Sequence, residues 1–144
     1  MKLPCTLIAA ALLAGCATYQ PPTASGKPEI VIAARSAEEV RDAVVAESAL
    51  IGYLPRSSDP LNLVFERESD STAATVLFGT RMDPRVFGRS RFHIIKDGDR
   101  YKVIGTLAAV SNRGTALESE TELTGENYRL VEKFLAKVQA RLER

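Results

Sequence analysis

Cys16 has the sharpest chemical context of any residue in this chain. It follows Leu13-Ala14-Gly15 at the end of an apolar run from Leu7 to Leu13, and the other thiol, Cys5, lies upstream. A thiolate is a nucleophile, and so a potential attachment point, metal ligand or redox group. A second group is basic. Arg81, Arg85, Arg89 and Arg91 flank an Asp83-Pro84 turn, with Met82, Val86 and Phe87 between them. Guanidinium forks suit carboxylates and phosphates, and aromatic, Met and Arg side chains are enriched at interfaces. His93 is the single histidine; the expected strand register sets it opposite Lys102, which is no orienting acid for a general base. Glu118, Glu120 and Glu122 offer carboxylates, but their spacing is not that of an EF-hand loop and lacks its glycine. No Gly-rich phosphate loop, metal-binding histidine pair or G-x-S-x-G elbow is present. The sequence therefore gives no catalytic residue, metal ligand set or cofactor motif, and the expectation is a protein that is not an enzyme. Its candidate binding residues are Arg81, Arg85, Phe87, Arg89, Arg91 and Lys102.

The start of the chain sets an address. Met1-Lys2 is a short positive segment, and the apolar run after it falls well below the ~20 residues that a bilayer span needs. A positive start, a short apolar middle and small residues mark a secretory signal. Leu13-Ala14-Gly15-Cys16 resembles the lipobox of bacterial lipoproteins. That resemblance implies cleavage before Cys16 and a diacylglycerol on its sulfur, commonly with an N-acyl chain. Stable anchoring takes more than one chain. Ala17 after the cysteine implies, by the same resemblance, the outer membrane and a periplasm-facing domain. Residues 1–15 are thus expected to be a signal peptide. Residues 16–28, with three prolines and few apolar side chains, read as a lipidated cysteine and flexible tether, and 29–144 as one domain.

The chain has 19 basic and 18 acidic residues, and loss of Lys2 with the leader brings them level. No global field then favours nucleic acid. A mature chain with Cys16 as its one cysteine has no disulfide, which fits an exported protein with a modified thiol.

The elements must position these residues. Ile30-Val31-Ile32 is a short strand candidate. Ser36 and Glu39 match a capping box for a helix running to about Ile51, stopped by Gly52 and Pro55. Leu61, Leu63 and Phe65 alternate, as do Ala74, Val76 and Phe78, predicting a hairpin across Ser69–Thr72. Val86 to Lys96 is a further strand. Asp97-Gly98 predicts a type I′ turn that pairs Ile94 with Tyr101, Phe92 with Val103 and Gly88 with Leu107. In that register Arg81, Arg89, Arg91, His93 and Lys102 share the face opposite the core. Residues 111–122 read as a loop with at most a strand fragment. Thr124 is placed to cap a final helix whose stripe is Tyr128, Val131, Leu135, Val138 and Leu142.

The expected fold class is α+β in the order β-α-β-β-β-β-α, a four- to five-stranded antiparallel sheet with two helices on one face. The order is similar to the helix-grip domains of BamC, a lipoprotein of the outer-membrane β-barrel assembly machine. Together the resemblances imply a membrane-anchored, periplasm-facing module that binds an envelope component, most simply a protein. The alternative is a ligand or envelope-polymer binder with a groove between helices and sheet. Docking through the sheet requires a free exposed patch. A ligand binder requires an apolar pocket lined by Phe65, Phe78, Phe92 or the helix stripes.

Overall fold

The computed structural model describes residues 18–57 and 59–144. Cys5, Cys16 and the leader expected at 1–15 lie outside the described residues. The elements run β1 (Glu29–Ile32), α1 (Ala37–Leu50), β2 (Leu54–Pro55), β3 (Asn62–Glu68), α2 (Thr72–Phe78), β4 (Val86–Asp97), β5 (Arg100–Ser111), β6 (Ser119–Glu122) and α3 (Asn127–Leu142). The strands pair antiparallel in the order β1-β5-β4-β3-β2. Because β4 takes one edge of β5 along its length, β1 and β6 share the other edge, β1 at Tyr101–Ile104 and β6 at Ala108–Ser111. The fold is α+β, as the periodicities predict.

One face of the sheet is covered by α1 and α3. Val40, Ala43 and Val44 of α1 and Val131, Leu135 and Val138 of α3 meet Ile32, Leu63, Phe65, Phe92, Ile94 and Val103. Phe92 stacks on Phe134 at 4.8 Å and meets Phe65 edge-on at 6.2 Å. The long helix lies very close to β5. A side chain on Gly105 would come within 2.6 Å of Val131 Cγ1, so the glycine is what lets the helix backbone approach. No helix among the described residues is long and apolar enough to cross a membrane.

Several expectations are corrected. Residues 73–78 form not a strand but α2: Ser71 Oγ accepts from Ala74 N–H at 3.3 Å as N-cap, and β3 pairs directly with β4. The β4–β5 register is displaced by two residues, so that Phe92 faces Gly105, Ile94 faces Val103 and Asp97 faces Arg100. The turn residues are Gly98 and Asp99, with positive φ at Gly98 alone, the pattern of a type II′ turn rather than I′. A shift of two preserves the facing of every side chain, so Arg89, Arg91, His93 and Lys102 still lie opposite the core, but His93 faces Ile104 and not Lys102. Arg81 sits in the connection after α2, off the sheet. The N-cap of α3 is Glu126, without a side-chain cap bond, in place of Thr124, whose carbonyl accepts from Asn127 N–H.

Residues 18–28, expected as spacer, lie against the domain. Pro28 is fully buried, its carbonyl accepts from Gly105 N–H at 2.9 Å, and Pro21 is buried as well. Tyr19 donates to Glu132 at 2.7 Å, and its ring lies under the Arg129 guanidinium at 3.9 Å.

Candidate functional site

The predicted basic site is on the sheet face away from the helices. Strand pairing sets Glu66 of β3 directly across from Arg89 of β4. Glu66 is buried, and a buried carboxylate must be paired. Arg89 Nε donates to its Oε1 at 2.7 Å. Arg113 and Arg56 approach Oε2 at 2.6 and 3.2 Å. The Arg113 contact is one of charge, because its Nε and that oxygen lack an aligned hydrogen bond; the guanidinium lies instead over the Phe87 ring at 4.5 Å.

Arg89 also reaches Glu118 at 2.9 Å and Glu120 at 2.7 Å, and Arg91 donates to Glu120 through both terminal nitrogens. Desolvation disfavours the charge on both arginines. At Arg89 the bonds to Glu118 and Glu66 outweigh it and raise the pKa; at Arg91 repulsion from Arg89 adds to it and lowers the pKa. Glu118 is held below the ordinary carboxylate range by the Gly114 N–H, then by Arg89.

The structure therefore brings together Phe87, Arg89 and Arg91 and leaves the other predicted residues apart. Arg85 folds back on Asp83 at 3.0 Å, lowering that carboxyl's pKa. Lys102 lies 3.6 Å from Glu29, Arg81 is exposed in its turn, and His93 pairs with Asn62 at 2.7 Å. Arg89 is spent on internal carboxylates, with a side chain only 11% exposed. Among the described residues, no three His, Cys, Asp or Glu side chains come close enough together to hold a metal ion.

A second site opens on the helix side, in the place expected of a groove between helices and sheet, and its lining includes Tyr53 and Arg67, which the sequence does not single out. The chain leaves α1 through a Schellman motif: Gly52 N–H donates to the Ala49 carbonyl and Tyr53 N–H to that of Ser48, both at 3.0 Å, with Gly52 at φ +79. This turn directs Tyr53 back across the sheet. Its hydroxyl lies where a side chain on Gly88 would come within 2.6 Å. The Arg67 guanidinium sits over its ring at 5.4 Å and donates to the Ile51 carbonyl at 2.9 Å. Burial pushes the Tyr53 phenol pKa up, only partly offset by Arg67, so the hydroxyl is a neutral donor at pH 7.

Two hollows adjoin here. One, of about 380 Å³, is bounded by Ser48, Ile51, Phe92, Lys133, Phe134 and Lys137. The other, of about 320 Å³, is bounded by Phe78, Val86, Gly88, Ala109, Leu123 and Asn127. Both share Tyr53, Arg67, Leu107 and Leu130, so they form one trough between α3 and the sheet. Its floor joins buried Val86, Phe92 and Val131 to half-buried Leu107 and Phe134, while its rim includes Leu130, 56% exposed, and Ile51, 40% exposed. Ser48 Oγ in the first hollow is fully buried and has no hydrogen-bond partner among the described residues. No acidic side chain lines either hollow. Among the described residues Arg67, Lys133 and Lys137 make no ion pair. Phe78 and Phe92 contribute as expected of a ligand pocket; Phe65 does not. The chain matches no protein-family model and no curated protein.

Proposed function

We propose that this protein is a lipoprotein of the bacterial envelope, anchored through Cys16 in the outer membrane and facing the periplasm, and that it works by binding through the trough. The trough carries this reading. It combines a largely buried apolar floor, exposed apolar side chains at its rim, an unpartnered buried hydroxyl and cations without acidic partners, the composition of a ligand site. The arginine face supports binding less well, because its guanidinium groups already face Glu66, Glu118 and Glu120.

Site-specific photocrosslinking in cells separates the two faces. A photoreactive residue in place of Leu130 should yield an adduct, and one in place of Arg91 should not; the reverse pattern overturns the assignment. The anchor is tested apart from the site. Cys16→Ser should abolish acyl labelling and release the protein from membranes, and retained labelling rejects Cys16 as the attachment point.

A further inference from the structure

The charge around the trough is more selective than its apolarity. Of the chain's 18 acidic residues none lines it, whereas Arg67, Lys133 and Lys137 do. Lys133 and Lys137 are one helical turn apart on α3 and so project from the same side. All three are exposed and line the same hollow as Phe92, Leu107, Val131 and Phe134. Three unpaired cations beside an apolar hollow repel one another and favour an anion that neutralises them. The neutral Tyr53 hydroxyl and the orphaned Ser48 hydroxyl add hydrogen-bonding groups close to that charge.

We propose that the trough binds a single-chain amphiphile, a long-chain fatty acid, with its carboxylate held by Arg67, Lys133 and Lys137 and its tail along the apolar floor. The two adjoining hollows of about 380 and 320 Å³ fall within the range of small-molecule sites, and their side-by-side arrangement suits one extended tail. The inference rests on the trough being the binding site, as proposed above.

The full chain carrying Cys16→Ser, purified without detergent so that no acyl group competes, should be titrated with dansyl-undecanoic acid. Saturable fluorescence enhancement is expected. Palmitate should displace the probe, while methyl palmitate and dodecyltrimethylammonium should not. Lys133→Glu with Lys137→Glu, both at exposed positions, should weaken binding about tenfold or more with an unchanged circular dichroism spectrum. Arg67→Gln should weaken it as well.

Absence of saturable binding, equal displacement by the methyl ester, or full affinity in the double variant overturns the proposal. Stronger displacement by lysophosphatidylglycerol than by palmitate replaces the carboxylate with a phosphate head. Binding to anionic phospholipid vesicles without binding of the monomeric probe indicates a surface contact and also overturns it. If the probe fails but a photoreactive residue at Leu130 captures a protein, the trough remains the site and the amphiphile is wrong. If both fail, both readings fall.

Discussion

Glu66 shows how a single residue can reverse the meaning of a sequence pattern. Four arginines around a Pro turn look like a surface waiting for an anion, yet Glu66, buried on the same sheet face, meets three guanidinium groups from Arg56, Arg89 and Arg113. Removing one member of a buried ionic cluster leaves the others uncompensated. Glu66→Gln is therefore expected to destabilise the fold by about 3 kcal/mol, the low end for such a loss, because Arg56 and Arg113 keep some solvent. Urea denaturation at pH 7 measures it, and an unchanged midpoint would show that the cluster contributes nothing net. Glu118 gives the pH dependence. Its pKa is depressed in the folded state, so the bond it accepts from Gly114 N–H at 2.8 Å adds stability above the unfolded carboxyl value, about 4.3. That contribution is lost as pH falls through the folded value. The Gly114 amide should thus hold its chemical shift from pH 7 down to the ordinary carboxyl range and move only below it. A transition centred near pH 6 contradicts the assignment.

At the scale of elements, α1, α3 and the β4–β5 hairpin were legible because each carries several agreeing signals: a cap, a period and a stop for α1, a wide stripe for α3, alternation and an Asp-Gly pair for the hairpin. The segment 73–78 was not. Ala74, Val76 and Phe78 alternate, but Ala74 and Phe78 also stand four apart, and seven residues cannot decide between the periods. The Ser71 cap and the packing of α2 against β4 and β5 settled it. The sequence predicts a groove between helices and sheet but not the residues that wall it, for a different reason. Its wall is made by a turn that returns Tyr53 across Gly88 and by Arg67 over that ring, contacts between segments that no local pattern joins. Gly105 tests the packing that holds α3 over one side of this trough. Gly105→Ala puts a methyl group 2.6 Å from Val131 Cγ1 and 3.0 Å from Phe92, and overpacking of this kind costs about 1–3 kcal/mol. The variant should melt several degrees lower while keeping its helical content. If it melts as the parent does, α3 has slack that the contact distances do not allow.

At the scale of the whole molecule, the first described residues bear on the proposed anchor at Cys16. A free segment of about a dozen residues would reach ~40 Å. From Tyr19 onward, however, the chain is held, Tyr19 by Glu132 and Arg129, Lys27 by Glu122 at 3.0 Å, and Pro28 by burial and by Gly105, with a local turn between them closed by Gly26 N–H on the Thr23 carbonyl. Prolines that look like spacer in sequence also lower the entropy lost on docking, which is why composition alone misjudged this segment. Cys16 stands two residues before Thr18, a reach of only ~7 Å, so an acyl group there would hold α3 and its neighbours close to the headgroups. Tyr19→Ala removes both the hydroxyl bond and the ring under Arg129 without touching the core. Amide exchange at Gly26 should then accelerate about tenfold or more while exchange at Val103, in the centre of the sheet, stays unchanged. In membrane-anchored protein, a fluorophore on Lys137 should be quenched less by headgroup-labelled lipid in the variant, because the released segment lengthens the leash. Fast exchange at Gly26 already in the parent would instead make residues 18–28 the flexible spacer that their composition suggests.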